Sequence, residues 1–292
     1  MFLTEVLGLS LLLHALSVGQ STAGCDAIPG AETLLDDAAG RPILLGETHG
    51  TKQAPEFVAS LLCLGVARGE RTILALEMSA MGQDRLAAYL DSDGDADAVQ
   101  ALTEDSYFWN GRMRDGRSSE AMLGLIDTVR LRRAAGAAID VVALDYYPVD
   151  DADLAELPQR RDHAMLRRAR SLVGSADVIL VLVGNVHARR TPFVFGERSL
   201  DTIGSLAGPD EVYSVRLATI GGEAWTCRGA TAETVECGPH ASPAYVGLGE
   251  RRVMSMEDAI SAGVLGVEGD SYHRYVHLGE SVASPPVVPL PE

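Results

Sequence analysis

The chain has 292 residues, with 24 Lys and Arg against 41 Asp and Glu, so its formal net charge is −17. That balance argues against nucleic acid as a partner, because an acidic surface repels a phosphate backbone at long range. With 47% hydrophobic residues the chain excludes general disorder, and its length suits one α/β domain with a sizeable core.

Residues Val6 to Val18 form an apolar run, too short to cross a bilayer comfortably but of signal-peptide length. Ser21-Thr22-Ala23 then offers a cleavage site. Residues 1–23 are therefore read as a signal peptide, atypical in carrying Glu5 where basic residues are usual. A lipid anchor at Cys25 is the alternative form of processing. No transmembrane segment is predicted, and the expected location is the periplasm or the exterior of the cell. Residues 24–282 are expected to form the single domain and residues 283–292, rich in proline, a disordered tail.

Ile43–Leu45 reads as a buried strand ending at Gly46, and residues 55–68 as a helix with Phe57, Val58, Leu61, Leu62 and Val66 inward. Thr72–Leu76 is a second strand. Residues 83–105 are helical with an acidic interruption at 91–97, which lacks the Gly and Glu positions of a calcium-binding loop. A helix over 118–135, capped by Ser118 or Ser119, buries Met122, Leu123, Ile126, Val129 and Leu131. Strand 139–144, an Arg-rich helix 160–173 and the strongly apolar strand 177–183 follow. Apolar runs alternating with helices predict a mainly parallel sheet covered on both faces. Beyond Gly208, Val212–Thr219 and the segment around Cys227 and Cys237 read as a smaller β-rich portion of antiparallel or edge strands. His273 and His277 fall on a C-terminal strand and read as structural.

The four cysteines allow three pairings. Cys227 and Cys237 are placed to clamp a hairpin, which would leave Cys25 to tie the N-terminus to the helix carrying Cys63. Buried free thiols are the alternative.

Ligands in parallel α/β sheets bind beyond the carboxyl ends of the strands. In strand order those ends carry Glu47 and His49, then Glu77, then Asp145 with Tyr146 and Tyr147, then Asn185, His187, Arg189 and Arg190. Two imidazoles and several carboxylates converging at one end can activate water, or hold a divalent metal through His49, Glu77 and His187. The loop with Trp109 and Arg117, before the 118–135 helix, is placed to cover them as a lid. Arg189, Arg190 and Arg198 form a basic patch suited to an anionic group.

Gly46-Glu47-Thr48-His49, the strand-end Glu77 and Gly184-Asn185-Val186-His187 resemble the motifs of the superfamily that includes erythromycin esterases, the ChaN haem-uptake lipoproteins and the Tiki/TraB proteases. The resemblance spans roughly residues 40 to 205, and Arg85 corresponds loosely to an arginine of the Tiki/TraB branch. It implies an α/β fold and an exported hydrolase acting on an ester or amide of a small molecule or peptide. Glu47, His49, Glu77 and His187 would be catalytic, and Arg85, Trp109, Arg117, Asp145, Asn185 and Arg189 would bind substrate. It equally implies the alternative of a ChaN-like haem- or iron-binding protein without catalysis. Manganese, zinc or haem are the cofactors these readings bring with them.

Overall fold

The computed structural model describes residues 24–111, 114–145, 157–229, 234–244, 248–264 and 269–290. The signal peptide expected over 1–23, and Tyr146 and Tyr147, lie outside the described residues.

The helices are α1 (Ala31–Ala38), α2 (Gln53–Ala67), α3 (Gln83–Leu90), α4 (Ala96–Thr103), α5 (Tyr107–Asn110), α6 (Glu120–Ala134), α7 (Leu157–Leu172), α8 (Ile203–Leu206) and α9 (Met256–Ser261). The strands are β1 (Ile43–Glu47), β2 (Thr72–Ser79), β3 (Ile139–Asp145), β4 (Val178–Gly184), β5 (Phe193–Phe195), β6 (Arg198–Leu200), β7 (Tyr213–Arg228), β8 (Glu236–Ala241), β9 (Arg252–Met254) and β10 (Arg274–Ser281).

The main sheet runs β3-β2-β4-β1-β7-β10-β9, with β8 paired to the far end of β7. From β3 to β10 every neighbouring pair is parallel; β9 and β8 are antiparallel additions. Side chains alternate between the two faces of a strand, so consecutive apolar residues feed two cores. Leu45, Leu74 and Leu180 pack on one face in a core shared with Leu34, Leu61, Leu86 and Ile126 of α1, α2, α3 and α6. Leu44, Ala75 and Val181 face the other, with Met165, Ile203 and Ala259 of α7, α8 and α9. Among the described residues no helix is long and apolar enough to cross a membrane.

Several expectations need correction. Val212–Thr219 is not an edge or antiparallel segment: β7 lies between β1 and β10 and is parallel to both. Its partner β10 comes from the end of the chain, which no local pattern announces. Leu131 is exposed, because it falls off the inward stripe that Met122, Leu125, Ile126 and Val129 complete.

Residues 283–290 are not a frayed tail. Ser119 caps α6, but the amide groups of its first turn need further acceptors. The tail supplies them: Glu120 donates to the carbonyl of Pro285 (2.8 Å) and Ala121 to the Ser284 hydroxyl (2.9 Å). Val287 donates to Ser118 (3.0 Å), and Val287 and Val288 pack on the core.

Two disulfides are formed, and the described residues contain no free cysteine. Cys227 and Cys237 are direct cross-strand partners of β7 and β8, with Cα atoms 3.9 Å apart, closer than the usual 4.4–6.8 Å. Cys25 and Cys63 join the segment before α1 to α2 across a sequence separation of 38 residues. Cys25→Ser is expected to lower the unfolding free energy by about 2–4 kcal/mol, because a loop of this length constrains the unfolded chain. A shift of the urea midpoint reads it. An unchanged midpoint, with both peptides running free in non-reducing mass spectrometry, would contradict the pairing.

Candidate active site

The chain leaves β1 toward β2 and leaves β4 toward β7, in opposite directions from adjacent strands. The crevice this opens beyond the carboxyl ends is where the strand-end polar groups meet.

Glu77, in β2, is the centre. Its carboxylate is buried. Oε1 accepts from Arg117 Nη1 (3.1 Å) and Arg161 Nη2 (2.8 Å), and Oε2 from the amide of Gly184 (2.7 Å). The two imidazoles approach the same carboxylate from either side. His49 Nε2 lies 3.7 Å from Oε2 and His187 Nε2 lies 3.6 Å from Oε1. Each ring is held at its other nitrogen by its own buried carboxylate. His49 Nδ1 bonds Glu47 (2.9 Å), and His187 Nδ1 bonds both oxygens of Asp162 (2.8 and 3.0 Å). Asp162 is fixed in turn by the amide of Ile203 (2.9 Å). With a carboxylate accepting the Nδ1 proton, the neutral ring carries its lone pair on Nε2. At 3.6–3.7 Å those Nε2 atoms are beyond hydrogen-bond length from Glu77.

Gly184 makes the arrangement sterically possible. A Cβ there would stand 2.9 Å from His49 Nε2 and 3.5 Å from Glu77 Oε2, and the Glu47 bond leaves the ring little room to retreat.

Five carboxylates (Glu47, Glu77, Asp115, Asp145 and Asp162) surround two guanidinium groups and two imidazoles. Burial works to lower the pKa of His49, but the Glu47 hydrogen bond and the charges of Glu77, Glu47 and Asp115 outweigh it, so it rises above 6.5. His187 is raised likewise: burial is overcome by the charge of Glu77 and the bond to Asp162. Burial would raise Glu77, yet the charges of His187, His49, Arg117 and Arg161 hold it well below 4.5. At Glu47 burial prevails and the pKa is raised.

Glu47, His49, Glu77 and His187 thus converge. Arg117 and Asp145 join them, the latter buried and paired to Arg161. Asn185 and Arg189 stand beside the cluster on the wall of a cavity of about 220 Å³. Trp109 is no substrate contact: it is 1% exposed in the core, edge-on to Phe108. Arg85 is exposed on α3 rather than drawn into the buried cluster. Of the expected basic patch, Arg189 stands on the cavity wall and Arg198 is exposed on β6.

The loop expected as a lid brings Arg117 to Glu77 and is pinned in place. Asp115 accepts from Arg117 Nε (3.0 Å), and the Trp225 indole donates to the carbonyl of Arg114 (3.0 Å). Gly116 packs directly on Gly50, both at positive φ, so a side chain at either would meet backbone.

Sequence reasoning missed Asp115, Arg161 and Asp162. The signal for Asp162 was slight: it is the single acid in an α7 sequence with five arginines.

The expected divalent cation does not fit this donor set. A divalent cation at His49, Glu77 and His187 would compete with the two guanidinium groups and the amide that occupy both Glu77 oxygens. The described residues contain no group of three or more His, Cys, Asp or Glu suited to hold a metal ion. For haem, the adjoining cavity of about 220 Å³ sets Arg189 and Arg216 beside Val186, Phe193, Val264, Tyr272 and Tyr275 on its wall.

No family model matches the sequence, and no curated protein matches it. Solved structures do match in fold. A mutant of erythromycin esterase EreC in its open conformation superposes with TM-score 0.62 at 13% identity, covering 88% of this chain and 95% of that one. A Bacillus cereus protein gives TM-score 0.62 at 12% identity, over 87% and 92% of the two chains. A succinoglycan biosynthesis protein gives 0.63 at 9%, over 87% and 91%. These likenesses show a shared fold.

Glu77→Gln should be destabilising by about 1–3 kcal/mol, because it removes the charge that Arg117 and Arg161 share and leaves them their pairs with Asp115 and Asp145. The loss is expected above pH 4.5 and should shrink only as pH falls through the depressed pKa of Glu77, where wild type also loses the charge. Urea unfolding of both proteins at neutral and acid pH measures it. Equal stability at neutral pH would contradict the central role given to this carboxylate.

Proposed function

We propose that this protein is a hydrolase that directs water at an ester or amide carbonyl with His49 and His187 as its acid–base pair. The observation that carries this reading is the pair of carboxylate-held imidazoles whose Nε2 atoms face one ionised carboxylate, Glu77. A carboxylate at Nδ1 orients an imidazole and raises its basicity, which is what a general base requires. The name of the erythromycin esterase that shares the fold supports ester hydrolysis as the reaction class.

The active form has one ring neutral and one protonated. The neutral ring takes a proton from water at Nε2, and the water oxygen bonds to the carbonyl carbon. The protonated ring then gives its Nε2 proton to the departing oxygen or nitrogen as the carbon–heteroatom bond breaks. The two rings have exchanged protonation states, and the pair as a whole carries as many protons as before. Glu77 stabilises whichever ring is cationic, while Arg117 and Arg161 keep it ionised. Small molecules or peptides are the substrates proposed. Two disulfides support an oxidising location, which we place in the periplasm or outside the cell.

His49→Ala and His187→Ala are each expected to lower kcat by about 10²–10⁴-fold on a responsive ester or amide from a generic panel. Each substitution also leaves a buried carboxylate, Glu47 or Asp162, without its imidazole, so a lower melting temperature is expected beside the kinetic loss, and rates are compared well below it. Wild-type rates in both variants would remove the two imidazoles from the chemistry, and no turnover of any ester or amide by wild type would make a non-catalytic binding protein the better account.

The pH profile of kcat should be bell-shaped, reporting two apparent pKa values of the coupled pair. Both rings are raised, so the acidic limb should lie above 6.5, activity falling as pH drops and the base becomes protonated. Asp162→Asn removes the charge that holds the His187 proton and should move the profile to lower pH. A profile that does not move would remove Asp162 from its positioning role.

A further inference from the structure

β7 is longer than the sheet that holds it. It pairs with β1 as far as Arg216 and with β10 as far as Gly222. Beyond that point, from Glu223 to Arg228, its strand partner among the described residues is β8 alone. Gly221 and Gly222 at the base both stand at positive φ (57° and 60°), so the arm leaves the sheet at a two-glycine bend. A side chain at Gly222 would collide with the carbonyl of Ser281. A two-stranded hairpin is marginal in water on its own. This one carries a covalent tie, Cys227–Cys237, between directly paired residues.

The arm reaches the candidate site. Trp225 precedes Cys227 by two residues, so the two side chains share a face of β7. The Trp225 amide donates to the Gly50 carbonyl (2.9 Å) and its indole to the Arg114 carbonyl (3.0 Å). Gly50 follows His49, and Gly116 packs against both Gly50 and the Trp225 carbonyl. Gly116 in turn precedes Arg117, which donates to Glu77 (3.1 Å). One residue thus fastens the segment that carries the first imidazole and the loop that brings a cation to the central carboxylate.

The two bridges differ in access. Cys63 is buried, whereas Cys227 and Cys237 are both half-buried, each next to an exposed residue, Arg228 or Glu236. Access is one of the conditions that sets the rate of thiol–disulfide exchange, and it favours the second pair.

We infer that Cys227–Cys237 is a redox latch, and that the candidate site is completed only when these two thiols are oxidised. In the dithiol state the arm loses its covalent tie, Trp225 loosens from Gly50 and Arg114, and Arg117 leaves Glu77. Oxidation proceeds by exchange with an external disulfide, of a small thiol or of a dithiol oxidase. One cysteine thiolate attacks that disulfide, forms a mixed disulfide and releases one thiol. The second cysteine thiolate attacks the mixed disulfide and releases the other. Two electrons and two protons pass to the external disulfide, which ends as two thiols. The consequence is a hydrolase that is silent in a reducing compartment and switched on outside it. That consequence rests on the hydrolase reading, whereas the latch does not.

The full chain with Cys25→Ser and Cys63→Ser retains only the bridge in question. In that background dithiothreitol reduces one bond, and alkylation with mass spectrometry counts the thiols. Hydrogen–deuterium exchange reads the latch without turnover. On reduction, exchange at residues 48–51 and 114–118 should rise by about 10-fold or more, while β4 keeps its protection. Oxidised glutathione should reverse the change. Trp225→Phe in the otherwise unaltered chain keeps both bridges and removes the indole bond, so exchange at 114–118 should rise by about 5-fold. Unchanged exchange in either experiment overturns the latch. So does a loss of protection at β4 equal to that at 114–118, which would make the bridge a general staple. On a responsive ester, kcat should fall by about 10-fold or more on reduction and return on reoxidation. Equal kcat in both redox states overturns the coupling of the latch to the site. Faster exchange on reduction, in a protein that hydrolyses no ester or amide, supports the latch and removes the hydrolase.

Discussion

A carboxylate buried at the end of a parallel sheet is costly unless other charges and hydrogen bonds meet it on every side. Glu77 is met in that way by four separate parts of the chain. The backbone of β4 gives the Gly184 amide, the covering loop gives Arg117, α7 gives Arg161, and the loops after β1 and β4 bring the imidazoles. None of these segments neighbours β2 in sequence. Their charges and hydrogen bonds together keep the carboxylate ionised. The order of the whole crevice therefore hangs on one side chain.

The same carboxylate sets the proton chemistry. Its pKa is pushed down while those of the two imidazoles are pushed up, as expected when one anion is shared between two bases. The outer carboxylates do a different task. Glu47 and Asp162 bind the Nδ1 atoms and so decide which nitrogen faces the crevice. The two halves are built from different material: Glu47 lies two residues from its imidazole, on the same strand end, while Asp162 reaches His187 from a helix on one face of the sheet.

The periphery is arranged to hold this centre still. Gly50 and Gly116 let the loops from β1 and α5 touch through their backbones, and β7 extends past the sheet so that Trp225 can lie against both. The C-terminal segment binds Gly50 through Ser284 and satisfies the first turn of α6. The Cys227–Cys237 bridge clamps the β7–β8 arm that carries Trp225. The cover over the candidate site is thus a braced wall.

The sequence by itself determined the first four parallel strands, β1 to β4, and the longer helices, because apolar runs and caps are local signals. It also placed Glu47, His49, Glu77 and His187 at one end of one sheet, since each stands at or just past the end of an apolar strand. What it could not determine rests on long-range packing. Asp162 looked like one acid on an Arg-rich helix, and only the docking of α7 on the sheet turns it toward His187. Trp109 resembled a lid residue, and only the tertiary core accounts for its burial. The central place of β7 depends on pairing with β10, a strand from the far end of the chain, and a non-local pairing of that kind leaves no mark on the sequence around either strand. The proline-rich end looked frayed because the groups that bind it belong to α6 and to the loop after β1, far upstream in the chain. Local patterns tell a residue which element it joins, while its partners across the fold are chosen by how those elements pack.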